Sequence, residues 1–346
     1  MGNLCSRTSA TDDEELDVGE FVTAVPQQQS VNESDKEDKP QPTREQMIKY
    51  SIHMNKSNED VLVKPDDPAG NQFCVEDCTD CNFVLARGTD SVNVDACEGC
   101  NFFFGPINGP IFIRECKDCT LVVSGGQIRF KKCENVRICL HSTTRPIIEM
   151  CKNVSFQCFS GSVYNEFDEQ FKEINRDPLH NMWSSVYNFT PDYIDSLIYD
   201  QSRSSPLSSD CLALLATLTP LRGREHTPFI PHTQGHCVAM KSTFSMVALP
   251  ATAERLTTVR DMSCSEHLHR ILVIDELPDE VKQMLLDKEP LLDALIDHSF
   301  VFVVCSSDLA GSVASYNSFG IVAADVSSIS GELFERIEKL EKTGEM

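Results

Sequence analysis

One short phrase returns five times between Gln72 and Cys158, and nothing else in the chain constrains its fold as tightly. Glu76-Asp77-Cys78-Thr79-Asp80-Cys81-Asn82-Phe83 is followed by Asp95-Ala96-Cys97-Glu98-Gly99-Cys100-Asn101-Phe102 and by Arg114-Glu115-Cys116-Lys117-Asp118-Cys119-Thr120-Leu121. Two fainter copies surround Cys133 and Cys151, and the lead cysteines stand 19, 19, 17 and 18 residues apart. That period is too short for a helical hairpin. It suits one coil of a parallel β-helix, whose rungs stack around a shared interior. The side chains agree: three residues before each lead cysteine stand Val75, Val94, Ile113, Phe130 and Ile148, and five after it Phe83, Phe102, Leu121, Ile138 and Phe156. Apolar residues at every second place mark strands with one buried face, and equal offsets in every copy make those residues stack into ladders.

Cys78, Cys81, Cys97 and Cys100 also have the spacing of a zinc ribbon. Copies four and five, however, carry Val136 and Val154 in place of the second cysteine. Valine cannot ligate a metal but fills the same interior slot, so the cysteines read as small buried hydrophobes and no metal or cofactor is expected.

The informative residues are those pointing outward. Four before each lead cysteine stand Cys74, Asn93, Phe112, Arg129 and Ile147, and two before stand Glu76, Asp95, Arg114, Lys131 and Glu149. Alternation puts both sets on one external face. Arg129 then sits between Phe112 and Ile147, with Gln127 on its own strand and Glu149 diagonal on the next; with rungs about 4.8 Å apart, Glu149 is near enough to orient the guanidinium or to meet a partner's own cations. An arginine flanked by apolar side chains on a stiff sheet suits entry into another molecule. From periodicity alone the plainer reading stays ahead: a solvated arginine with a surface ion pair worth at most about 1 kcal/mol.

The 346 residues allow about two domains at roughly 100–200 residues each. A net charge of −23 argues against nucleic acid as a partner, because phosphate binding needs a basic footprint. With 16 cysteines but neither a signal peptide nor a long apolar span, the chain is expected in a reducing compartment. Met1-Gly2-Asn3-Leu4-Cys5-Ser6 fits N-myristoylation at Gly2. One acyl chain holds a membrane only marginally, and the ten acidic residues up to Lys39 repel anionic lipid, which leaves a palmitoyl group on Cys5 as the second anchor. Residues 1–45 are therefore expected as an acylated disordered tail, with a short helix around Arg44 to Ser51 leading into the first coil.

Beyond the coils, Trp183, Phe167 and Phe171 are expected in a cap over the open end of the β-helix domain, 46–200. Residues 201–236 read mostly as linker, apart from an apolar run from Leu212 to Leu218. Residues 237–346 alternate extended and helical patterns, from an extended Val238 to Met246 through helices at Ala251 to Ser263 and Asp279 to Asp297 to a last helix at Gly331 to Lys342. This is the pattern of a smaller α/β domain of ferredoxin-like type.

The cysteine-rich coils, Gly126-Gln127-Ile128-Arg129, Arg145-Pro146-Ile147-Ile148-Glu149 and Met182-Trp183-Ser184-Ser185-Val186-Tyr187-Asn188-Phe189-Thr190-Pro191 resemble the tubulin cofactor C domain family. The resemblance implies a right-handed parallel β-helix and a protein that is not itself an enzyme but activates an Arf-like small GTPase, completing its active site in trans. Arg129 stands at the place of the inserted arginine and Gln127 at that of the motif's glutamine, while Glu149 and Phe189 match positions that contact the GTPase. A membrane-bound member would serve trafficking of lipidated cargo at a cilium or plasma membrane. The alternative is a non-catalytic scaffold or tubulin-folding cofactor that binds through the same face, with tubulin as partner. The C-terminal part lacks the Asn-x-x-His-Gly-Ser run of nucleoside diphosphate kinases, so kinase activity is not expected.

Overall fold

The computed structural model describes residues 43–160, 163–193, 197–218 and 229–235, with the further segments 245–249, 255–265, 268–273, 279, 282–283, 301–305 and 324–325. Gly2 and Cys5, the residues expected to be acylated, lie outside them, as do the helix expected at Gly331 to Lys342 and most of the one expected at Asp279 to Asp297. No helix among the described residues is long and apolar enough to cross a membrane.

Helix α1 (Arg44–Ser51) opens the described chain on a capping box. The Thr43 hydroxyl accepts from the Gln46 amide at 3.2 Å, and the Gln46 side chain accepts from the Thr43 amide at 2.8 Å. The chain then winds through β1 (Ile52–Met54), β2 (Asp60–Val63), β3 (Gln72–Glu76), β4 (Asn82–Leu85), β5 (Ser91–Asp95), β6 (Asn101–Arg114), β7 (Thr120–Lys131), β8 (Glu134–Ser142), β9 (Ile147–Glu149) and β10 (Lys152–Cys158). Every pair of neighbouring strands here is parallel, and the repeats pair offset for offset: Phe73 with Val92, Val92 with Ile111, Ile111 with Ile128. The expected β-helix is the observed fold.

Two reasons make cysteine the residue of choice in its core. A residue with positive φ precedes each lead cysteine (Asp77, Ala96, Glu115, Lys132, Met150), and another stands two after it (Asp80, Gly99, Asp118, Asn135, Asn153). The chain therefore turns a tight corner at each copy, where only a small side chain fits inside. The thiol also reaches back to the carbonyl two residues earlier, as Cys78 does to Glu76 at 3.3 Å and Cys119 to Lys117 at 3.1 Å. Aliphatic side chains and aromatic rings fill the rest of the interior, with Phe83 and Phe102 5.3 Å apart and nearly parallel.

The solenoid has more coils than the cysteine phrase announces. Strands β1 and β2 form a coil in which Lys56 and Glu59 occupy the two cysteine places and pair with each other at 2.6 Å. At the terminal coil those places face solvent on one side, so a charged pair is tolerated there. At the other end β11 (Tyr187–Asn188) pairs with β9 and β12 (Leu197–Asp200) with β10, adding a further rung. Trp183, 1% exposed, seals this end inside the expected cap, its indole N–H donating to the Thr233 hydroxyl at 2.9 Å.

The two sheets of the solenoid differ in what covers them. On the outer side of β4, β6, β7 and β8, residues Val84, Phe103, Val122 and Cys139 pack against helices α2 (Phe167–Glu173) and α3 (Ser209–Ala216). Helix α3 falls in the stretch expected as linker. Its run of apolar residues at helical spacing buries Cys211 and Leu215 against the sheet, which removes the freedom a linker needs. The opposite sheet, built from the strands that precede each lead cysteine, presents exposed side chains.

Beyond the solenoid, β13 (Ser245–Leu249), α4 (Arg255–Ser265), β14 (Leu268–Val273), β15 (Val301–Cys305) and β16 (Ala324–Asp325) include a four-stranded sheet in the order β14-β15-β13-β16. All its neighbours are antiparallel. Strand order and direction are those of the ferredoxin-like arrangement. Of the extended run expected from Val238 to Met246, residues 238–244 lie outside the described residues, and Ser245 and Met246 open β13.

Candidate functional site: the open sheet face

Register places the outward residues in columns that run across the coils. One column reads Ile52, Cys74, Asn93, Phe112, Arg129, Ile147 and Tyr187. The next reads Met54, Glu76, Asp95, Arg114, Lys131 and Glu149. Arg129 points outward and is exposed, between half-buried Phe112 and Ile147.

The charges in the second column are matched. Arg114 holds Asp95 in a two-pronged contact, its Nη2 at 2.7 Å from the carboxylate, and that ion pair raises the arginine's pKa further. Lys131 pairs with Glu149 at 2.8 Å. Glu149, expected either to orient the Arg129 guanidinium or to meet a partner's cations, faces Lys131, because both stand two residues before a lead cysteine and so share a column. The equal offsets already contained that pairing. Arg129 is left as a cation whose side chain makes no hydrogen bond or ion pair with any described residue. Gln127, half-buried opposite Pro110, likewise has no side-chain hydrogen bond among the described residues.

An aromatic edge closes the face. Phe189 is 64% exposed and Tyr187 45%, their rings 6.3 Å apart and edge-on. The Phe189 amide donates to the Ile148 carbonyl at 2.9 Å, which fixes the phenyl group beside the coil that carries Glu149. Sequence reasoning named Tyr187 and Arg145 within the family motifs, and Tyr187 also among the aromatic residues of the cap, without assigning either to this face. The Arg145 guanidinium lies 5.3 Å from the Tyr187 ring centre, and its Nε donates to the Ser185 carbonyl at 3.2 Å. Their signal lay in the cap, where β11 continues a column that the cysteine phrase no longer marks.

Residues 70–189 match the protein-family model described as Tubulin binding cofactor C. Over this stretch the chain is similar to that family. Among curated proteins, Tubulin-specific chaperone C of Mus musculus is 26% identical over 135 residues, 39% of this chain and 39% of that protein. Protein XRP2, the retinitis pigmentosa 2 protein, is 33% identical in Xenopus laevis over 127 residues, 37% of this chain and 36% of that one. The Homo sapiens XRP2 is 32% identical over 170 residues, covering 46% and 48%. The matched stretch is under half the length of each of these relatives. A solved structure, Tubulin Binding Cofactor C from Leishmania major, aligns at 17% identity with a TM-score of 0.30, over 46% of this chain and 90% of that chain. The matched residues include the open face from Cys74 to Phe189.

Proposed function

We propose that the β-helix domain activates an Arf-like small GTPase by inserting Arg129 into its nucleotide site. The observation that carries this reading is the charge pattern of the open face. Its neighbouring cations Arg114 and Lys131 are neutralised by Asp95 and Glu149, while Arg129 keeps its full charge and all its donors between two apolar side chains. During transfer of the γ-phosphoryl group to water, charge spreads over the phosphoryl oxygens, and a guanidinium supplied in trans stabilises it for roughly 10³ to 10⁵ in rate. A stacked sheet holds the strand of Arg129 still, so little ordering is left for the transition state. Gln127 emerges two residues earlier on the same face and would position the attacking water or the arginine. Glu149, Phe189, Phe112 and Ile147 would form the surrounding contact, and the tail would tether the protein to a membrane through acyl groups on Gly2 and Cys5.

Single-turnover hydrolysis by a panel of purified Arf-like GTPases loaded with GTP tests the reading. One of them should turn over at least about a thousandfold faster with the parent protein, and Arg129→Ala should abolish the gain while leaving binding to the GTP form nearly intact. Lysine at this position should fail too, because it lacks the planar fork. Equal turnover by parent and Arg129→Ala would remove the arginine from the mechanism and leave the binding-only reading, to which the relatives named Tubulin-specific chaperone C also point.

A further inference from the structure

A second arginine lies behind the active face rather than on it. Arg176 follows α2 in the cap, and its guanidinium reaches across three successive coils. Nη2 donates to the Asn108 carbonyl at 2.5 Å and Nη1 to the Thr143 hydroxyl at 2.7 Å. Between those two partners it lies against Gly126, where a Cβ would stand 2.4 Å from Nη2 and 2.5 Å from Nη1. Gly126 can be no other residue while Arg176 is seated.

Burial of this cation is not explained by charge pairing. Among the described residues no carboxylate pairs with it, its Nε is buried without a partner, and loss of hydration lowers its pKa. An unmatched, half-buried charge costs stability. What it holds is the corner from which the Arg129 strand departs. The Gly126 carbonyl accepts from the Thr144 amide at 3.1 Å, the Thr144 hydroxyl at 2.7 Å and the Ser142 hydroxyl at 3.3 Å. Gln127 is the next residue along, and Arg129 the third. With Asn108 ahead of the corner and Thr143 behind it, Arg176 ties three coils together at the point where the covered sheet passes into the open one.

We infer that Arg176 is a positioning residue for Gln127 and Arg129: it clamps the Gly126 corner so that both side chains leave the sheet at the angle the reaction needs. This rests on the GTPase-activating reading above. Misplacing a reacting group by about 1 Å can cost on the order of a hundredfold in rate without loss of the contacts that give affinity. The clamp therefore acts on turnover, not on binding.

The test uses the full chain with Arg176→Met, which keeps the length of the stem and removes the donors, and Gly126→Ala, whose Cβ evicts the guanidinium. Single-turnover hydrolysis with the GTPase that responds to the parent should slow at least about tenfold for each variant, while the affinity for that GTPase bearing a non-hydrolysable GTP analogue stays within about twofold. The double variant should lose no more than either single one, because both remove the same contact. In the protein alone, exchange of the Thr143 and Thr144 amides should quicken in both variants. Parental turnover and unchanged amide exchange in a folded Arg176→Met protein would overturn the inference, and so would turnover and affinity falling together. If Arg176→Met does not fold, Thr143→Val, which removes one acceptor, should show the same split on a smaller scale, and parental turnover there would equally overturn it. Arg129→Ala assayed alongside separates the two ideas. If it is inert while Arg176→Met is parental, only the clamp fails; if it turns over like the parent, the underlying reading fails.

Discussion

Arg129 and Lys131 leave the same strand two residues apart and meet opposite surroundings. Lys131 finds Glu149 across the next rung and is neutral in effect; Arg129 finds Ile147 and remains charged. An exposed pair of this kind is worth at most about 1 kcal/mol to the fold, so Glu149 is not explained by stability. Under the proposed function it keeps Lys131 from competing with Arg129 for the partner's anion and offers its free oxygen to the partner's cations. Glu149→Gly should weaken binding to the GTP-bound partner roughly tenfold, about 1.4 kcal/mol. A titration with GTPase bearing a non-hydrolysable analogue measures this, and an unchanged Kd would detach Glu149 from the interface. At this scale the sequence was informative but incomplete. Offsets from the cysteines named the two columns from Cys74 to Ile147 and from Glu76 to Glu149 and put Glu149 level with Lys131, yet Ile52, Met54 and Tyr187, which extend the columns, carry no such mark.

A single coil is held by what lies above and below it, so the two ends of the stack have a chemistry of their own. At the first coil His53 replaces the aliphatic residue of later coils, buried between the rings of Phe73 and Phe83 at 5.2 and 5.8 Å. Burial, helped by nearby Lys56, lowers its pKa to about 4, and its Nε2 has no partner among the described residues. The sign of the consequence follows. The unfolded chain takes up a proton near pH 6.5 and the folded chain does not, so stability is full above that pH and drains as pH falls toward about 4. The loss attributable to this one group is up to about 3 kcal/mol. Denaturant midpoints for His53→Phe should be flatter between pH 6.5 and 4 than those of the parent; parallel curves would show that His53 does not control that limb. The same physics of burial acts on Cys139, packed between the sheet and its covering helices, whose thiol is pushed up to about 12.

The molecule as a whole divides its solenoid into a covered side and a working side. Helices α2 and α3 lie over one sheet, and the phrase Phe102-Phe103-Phe104, apolar on both faces of its strand, is the local trace of that cover. The working sheet bears the unmatched cation, and in the proposed function it meets a partner at the membrane to which the tail is tethered. Cys5→Ser should release the protein from membranes into the soluble fraction while leaving its stimulation of GTP hydrolysis in solution unchanged. A Cys5→Ser form that stays with the membrane pellet would remove the palmitoyl group from the anchoring.

Periodicity alone was enough to specify the coil, the inward ladders, the outward columns and the place of Arg129, because in a stacked parallel sheet a residue's offset within the repeat is also its address in space. Offset cannot report what arrives from elsewhere in the chain. Helix α3 packing where a linker was expected, the rungs added by β1, β2, β11 and β12, and the Arg176 contact with Gly126 all bring in residues from outside the repeat. Those contacts are set by packing across long sequence separations, and only the folded chain brings their members together.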